Sequence, residues 1–251
     1  MSLFGHELRA QLRLYWRSRE LAFFTFALPI IMFFLLGSVY GDDRLKAEGN
    51  VRGADYLLAG MLGYGAIATG FAGLSIMLVI RREAGILKRL RATPLPAATY
   101  VAALLVTTML AYAIEAVVMI ALGRVFFDTH VRHAFSLALV LLIGIGAFTA
   151  LGLALTTVIK SAEGSSAVVN AIYLPAAFIS GAFFSAHSFP DFLRAIADVL
   201  PLAYLIRLVR DVMLRNVEIW NRPGAVAVVV AWGVAGALVA ARRFRWEPRE
   251  G

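Results

Sequence analysis

Few residues in this sequence combine a reactive type with a setting in which they could act. Glu115 is a single charge inside an apolar run from about Ala98 to Gly123. A carboxylate at such a depth costs about 2.5–3.5 kcal/mol on insertion scales, so it must face the protein interior, a cavity or a partner. It can serve as a substrate or proton site, or as a hydrogen-bonded contact between helices; no Lys or Arg in the apolar runs is an evident partner. Asn170 and Tyr173 stand one turn apart before Pro175, where they can line a pathway or satisfy the carbonyls that a proline frees. Phe178, Phe183 and Phe184, followed by Phe189 and Phe192, read either as a hydrophobic gate or as an interfacial aromatic belt.

Other chemistries are excluded. There is no Cys, hence no disulfide, thiolate metal site or cysteine nucleophile. His130 and His133 lie close in a polar loop without a third ligand, and His6 and His187 are remote, so no metal site is expected. No polar cluster resembles a nucleophile with its base. No G-x-x-x-x-G-K-[ST] occurs, so nothing cradles a nucleotide phosphate. The chain is expected to have no catalytic residue and to bind no cofactor of its own.

The elements that position these residues follow from composition. The 251 residues are 61% hydrophobic and 16% charged, with mean hydropathy +0.78, against roughly 45–50% apolar and about 25% charged in a soluble domain. Such a chain has too little polar surface to cover a globule in water, and its solvent is lipid. The net charge of +8 falls at the ends of apolar runs, so it reports membrane orientation and not nucleic acid.

Six runs approach the roughly 20 apolar residues that a helix needs to cross a bilayer. They cover residues 21–40, 56–80, 98–123, 134–159, 166–186 and 224–241, with Pro29 as a kink in the first and Pro175 and Gly181 interrupting the fifth. The second carries Gly60, Gly63, Gly65, Gly70 and Gly73, small residues that let helices approach closely. The first run is too long for a signal-peptide core and no small-residue cleavage site follows it. Counted by loop, fourteen Lys and Arg fall on the side of the termini and ten on the other, which places both termini in the cytoplasm.

Residues 187–222 carry five of the ten outer cations. Ser188 and Pro190 signal a helix start, Pro201 breaks the chain, and Phe192, Leu193 and Ile196, then Leu202, Leu205, Ile206, Val209 and Met213, recur at helical spacing. This is an outer re-entrant hairpin of two short amphipathic helices, with Arg194 and Asp198 able to pair at i, i+4; a seventh span is the alternative. In the N-terminal arm, residues 1–19, Phe4, Leu8, Leu12, Tyr15 and Trp16 share one side of a helix, and Arg9, Arg13 and Arg17 form a neighbouring basic stripe. That pattern makes an interfacial helix against anionic lipid, with a flexible basic arm as the alternative. In the loop 81–96, RREAGILKRLRATPLP, Ile86, Leu87 and Leu90 share a helical face and Thr93-Pro94 ends the helix. A cytoplasmic helix of three turns over Arg81 to Ala92, joined to two spans, can pass motion between a soluble partner and the membrane. A plain positive-inside anchor would explain the charge but not the apolar stripe.

The loop REAGILKRLRATPLP resembles the segment between the second and third helices of ABC-2 type transporter permeases, and SGAFFSAHSFPDFLRAIADVLPLAY, Ser180 to Tyr204, is similar to that family's fifth-span exit and outer hairpin. The likeness covers essentially the whole chain. It implies an all-α integral membrane protein: one transmembrane domain over residues 1–251, with six spans, an interfacial helix, a coupling helix and an outer hairpin. Glu83, Gly85, Leu87, Lys88, Arg91, Thr93 and Pro94 would then dock on an ATP-binding subunit, and Pro190, Pro201 and Tyr204 would belong to the outer re-entrant region with Ser180, Gly181, Leu200 and Leu202. Arg207 departs from the acidic or polar residue that the resemblance implies. The implied function is an ATP-driven exporter of a drug, lipid or lipid-linked molecule, with ATP and Mg on two partner ATP-binding subunits and a second permease chain completing a homodimer or heterodimer in a prokaryotic inner membrane. Spans two and five would line the pathway. An ion- or proton-coupled transporter using Glu115 is the alternative, and a scaffold a further one.

Overall fold

Helices dominate because, in a chain this apolar, each backbone N–H and C=O must find its partner within its own segment. The computed structural model describes residues 3–17, 27–185, 189–244 and 247. In order, they form α1 (Leu3–Arg17), α2 (Leu28–Tyr40), a two-stranded hairpin of β1 (Arg44–Leu45) and β2 (Val51–Arg52), α3 (Gly53–Glu83), α4 (Ile86–Arg91), α5 (Ala97–Phe127), α6 (Ala134–Thr156), α7 (Ala162–Ile179), α8 (Asp191–Ala197), α9 (Pro201–Leu214) and α10 (Pro223–Arg243).

Among the described residues, α3, α5, α6 and α10 are long and apolar enough to cross a membrane. These four match the second, third, fourth and sixth sequence runs. Residues 21–26 of the first run lie outside the described residues; the remainder is α2, 13 residues with Pro29 in its first turn. The fifth run forms α7, four residues earlier than expected at its start and ending at Ile179, with Pro175 inside it. Glu163, Ser165, Ser166 and Asn170 hold its hydropathy below that of the other four. The hairpin forms as two helices of 7 and 14 residues, too short for a seventh span.

The centre is α3, of which 78% of the apolar stretch is buried against 22% for the peripheral α10. It packs on α2, α5, α6, α7 and α9. A π-helical turn, Ile67–Gly73, interrupts its middle, and there α6 comes to backbone contact: a Cβ on Gly152 would lie 2.6 Å from the Gly70 carbonyl oxygen and 3.1 Å from Phe71 Cα. The Ser75 hydroxyl donates to the Gly152 carbonyl across the same seam at 2.9 Å. On the other side of α6, Gly233 and Gly236 of α10 rest on the backbone of Ala147 and Ala150. Small residues thus set the helix spacing where no hydrophobic effect between helices is available to do so.

Loops gather at two ends. At one, Arg81 reaches Gln11 of α1, Arg82 reaches the end of α6, and Leu87 packs with Leu153 and Ala240. At the other, Glu48 bonds Ser185 and Arg215, and His133 bonds Asn216. The expected Arg194–Asp198 pair does not form. Arg194 bonds Asp191 at 2.7 Å, and Asp198 is taken at 2.5 Å by Arg207, which the turn at Pro201 brings back from α9.

The seam sets a test. Gly152→Ala is expected to lower stability by about 1–3 kcal/mol, because the atoms it meets are backbone and cannot swing aside. Gly146→Ala, whose Cβ meets only Met109 Cε at 3.6 Å, is expected to be neutral or to gain up to about 1 kcal/mol from helix propensity. Thermal unfolding of both variants in detergent checks the difference.

Candidate functional site

The loop 81–96 is built differently from one three-turn helix. Its first residues, Arg81 to Glu83, continue α3. Gly85 then takes φ +70, a conformation glycine adopts at no steric cost, and α4 begins in a new direction with six residues. The break divides the apolar stripe. Leu87 is fully buried in a cluster with Leu74, Leu78, Tyr100, Leu104, Leu153 and Ala240, and Leu90 and Leu95 pack onto it. Ile86, Lys88, Arg89, Arg91, Thr93 and Pro94 face outward. Leu87 and Leu90 therefore fasten the segment, and the outward surface is mostly cationic.

Behind it, Arg82 is only 2% exposed. Its guanidinium donates to the carbonyls of Thr156 and Ile159 at 2.8 and 2.7 Å and to Glu83 at 2.7 Å. The last carbonyls of a helix have no intrahelical partner and carry partial negative charge, so Arg82 caps α6 while belonging to α3. Sequence reasoning counted Arg82 only as an inside charge, since backbone acceptors leave no mark in a sequence.

The arm is helical, but its apolar face is divided. Gln11 and Tyr15 turn into the bundle beside α5, Leu8 and Leu12 are half-buried, and Phe4, Trp16, Arg9, Arg13 and Arg17 are exposed. Gln11 belongs there because its amide bonds both Glu7 and Arg81, at 2.7 and 2.6 Å.

Within the bundle, Glu115 is 1% exposed. Thr69, carried by the π turn of α3, donates to its Oε2 at 2.8 Å. Its Oε1 has no hydrogen-bond partner among the described residues, and a Cβ on Gly65 would stand 2.5 Å from that oxygen. Separately, Tyr173, Phe178 and Phe183 gather with Tyr64, which sequence reasoning passed over. The Tyr64 ring lies 6.2 Å from Tyr173 and 5.3 Å from Phe183, and Phe178 lies 4.9 Å from Phe183. Asn170 and Phe184 are exposed and stand outside this cluster.

At the opposite end six cations are ion-paired among the described residues: Arg52, Arg124, Arg194, Arg207, Arg215 and Arg222. Asp211, buried, accepts from Arg215 at 3.0 Å and Arg222 at 2.7 Å, and Glu48, also buried, accepts from Arg215 at 3.2 Å, Ser185 at 2.6 Å and Tyr56 at 3.1 Å. Arg210 stacks 3.5 Å over the Tyr56 ring and donates to the Gly181 carbonyl; burial lowers its pKa to about 10, which leaves it charged at neutral pH. Arg207 stands over Tyr204 and holds Asp198, so the departure from the expected residue type joins α8 to α9. The carbonyl of Pro190 caps the start of α8, and Pro201 opens α9. His130 bonds Arg124, and His133 lies 3.6 Å from Glu218.

The family model described as ABC-2 type transporter matches residues 3–214. No curated protein matches the chain.

The division of α4 yields a paired test. Leu87→Ala is expected to cost about 2–5 kcal/mol by emptying the cluster, whereas Ile86→Ala is expected to stay within about 0.5 kcal/mol. Thermal melts of the two variants decide it, and equal losses would contradict the division.

Proposed function

The chain belongs to the ABC-2 type transporter family and is the membrane component of an ABC transporter; we propose that it is the permease of an ATP-driven exporter. ATP is hydrolysed on a separate ATP-binding subunit, two copies per complex, and a second permease chain, identical or related, completes the pathway. The cargo is a drug, lipid or lipid-linked molecule. In this reading the chain crosses a prokaryotic inner membrane six times, with α2 and α7 completing the set and both termini in the cytoplasm.

The observation that carries the reading is α4. Its inner side is locked to α3, α5 and α6 through Leu87, and its outer side offers Ile86, Lys88, Arg89 and Arg91 to a partner. Such a segment receives force and passes it on. Orientation is supported by charge. The end holding α1 and α4 has fourteen Lys and Arg with six carboxylates, whereas the other has ten with nine, many of them ion-paired. A positive-inside signal counts Lys and Arg; pairing explains how the outer cations are accommodated without reversing it.

Motion of the partner on α4 would tilt α3 and α5 and draw α6 with them. The aromatic group Tyr64, Tyr173, Phe178 and Phe183 bridges α3 and the exit of α7; apart from it, Glu115 on α5, Asn170 on α7 and Phe184 would add polar and aromatic groups to the proposed pathway. The exposed stripe Arg9, Arg13 and Arg17 would hold α1 against anionic lipid.

The test is a mild-detergent pull-down of the tagged chain from native membranes, with mass spectrometry and an ATPase assay, beside Lys88→Glu, Arg89→Glu and Arg91→Glu combined. The wild type is expected to recover an ATP-binding protein, and the variant roughly tenfold less, the factor that about 1.4 kcal/mol of binding is worth. A complex without ATPase would overturn the reading.

A further inference from the structure

Residues 180–185, which leave the end of α7, form neither helix nor strand and lie along one face of the outer part of α3. Tyr56, Gly60 and Tyr64, at i, i+4 and i+8, share that face, which is about 12 Å long. At its middle the two backbones touch: a Cβ on Gly60 would lie 2.0 Å from the Ala182 carbonyl oxygen. At its inner end the Phe183 ring lies 5.3 Å from Tyr64 and 4.9 Å from Phe178. At its outer end, side chains from elsewhere take hold of the segment. Arg210 of α9, seated 3.5 Å over the Tyr56 ring, donates to the Gly181 carbonyl at 2.6 Å. The Ser185 hydroxyl donates at 2.6 Å to Glu48, in the β1–β2 hairpin, on the same oxygen that accepts from Tyr56 at 3.1 Å.

Phe183 stands between these two fastenings, so it cannot leave Tyr64 while both hold. The fastenings are few, and the segment turns at Gly181, whose φ of +79 costs a glycine nothing. The arrangement also leaves polar groups unmet beside one of them. Ser180 Oγ and Arg210 Nε are buried and have no hydrogen-bond partner among the described residues, and both adjoin the bond from Arg210 to Gly181. Buried donors without acceptors offset part of what the packed segment gains, and an arrangement that lets water reach them recovers that cost. A segment so held has a second position available to it.

We propose that residues 180–185 are the outer gate of the pathway, closed by Phe183 over Tyr64, and that Glu48 and Arg210 are the positioning residues that keep it closed. Opening frees Ser185 from Glu48 and the Gly181 carbonyl from Arg210, pivots the segment at Gly181 and lifts Phe183 off Tyr64 and Phe178. The inference rests on the transporter reading, because a gate has meaning only on a pathway.

The test places a trifluoromethyl-phenylalanine at position 183 of the purified full chain in nanodiscs and follows its fluorine signal with a water-soluble gadolinium chelate, which broadens the signal of a ring that water reaches. The otherwise unmodified chain is expected to give a protected signal, with an exposed fraction of at most about 10%. Glu48→Ala, Ser185→Ala and Arg210→Met are each expected to raise that fraction roughly fivefold, as loss of one buried hydrogen bond would. Glu48→Gln, whose amide oxygen still accepts from Ser185 and Tyr56, is expected to keep the gate closed, and so is Arg222→Gln, which loosens the same outer ion network without touching the segment. An exposed fraction that the three releasing variants leave unchanged overturns the assignment of Glu48 and Arg210, and so does one that rises equally in Arg222→Gln, since that marks general loosening. In the complex recovered from native membranes, ATP is expected to raise the exposed fraction of the otherwise unmodified chain by a similar factor, and a signal that stays protected through turnover overturns the gate. The nanodisc measurement involves neither ATP nor a second subunit, so a failed pull-down and a failed gate are separate results.

Discussion

Everything in this molecule is arranged around the contact of α3 with α6. Lipid offers no hydrophobic force to draw two apolar helices together, so they must gain from close packing and from hydrogen bonds between them. Both are present along one line. Gly70 and Gly152 bring the backbones together, Ser75 bonds across the seam, and Arg82 closes it by bonding the last carbonyl of α6, at Thr156, and that of Ile159 just beyond. A side chain at either glycine would push the helices apart and pull Arg82 from its acceptors.

From this pair the functional features take their places. Because α6 carries α10 on its other side through Gly233 and Gly236, a displacement of α3 is shared by three helices. Because Leu87 is sunk into the cluster between α3, α5 and α6, α4 moves only as they move. The π turn lies at the same seam, facing α6 with Gly70 and α5 with Thr69. Glu115, bonded at the middle of α3, and the proposed partner surface on α4, just beyond the end of α3, are therefore joined by one helix, about three and a half turns of α3 lying between Thr69 and Arg82. Coupling between them asks for no mechanism beyond the rigidity of α3 and its fastenings.

Much of this was legible in the sequence, for identifiable reasons. Runs of apolar residues gave α3, α5, α6 and α10 nearly to their ends, since length and hydropathy alone decide a spanning helix. The spacing of Leu202, Leu205, Ile206, Val209 and Met213 gave the buried face of α9, all five being buried, whereas Phe192 and Ile196 of α8, read by the same spacing, are exposed. The break at Gly85 was hidden because its neighbours are good helix formers, and only the burial of Leu87 turns α4 aside. Arg82 was hidden because its partners are carbonyls, which every residue has. Glu48 was hidden because its cation, Arg215, arrives from another part of the chain; Asp211 has Arg215 at i, i+4, and only its second cation, Arg222 before α10, comes from beyond its own helix. Arg194 was assigned the wrong carboxylate for the same reason: i, i+4 spacing cannot see that α9 folds Arg207 back onto Asp198.

The central claim is that α4 and the end of α6 move as one body, α4 held by Leu87 and the end of α3 held to α6 by Arg82. With no native cysteine, spin labels can be placed at exposed Arg89 and Val158 in the complex recovered from native membranes, and the distance between them followed with and without ATP. The account predicts that this distance stays the same in the two states while that from Arg89 to exposed Trp220 at the opposite end changes, and that Arg82→Gln makes the first distance respond to ATP. A first distance that changes with ATP in the otherwise unmodified complex would contradict it.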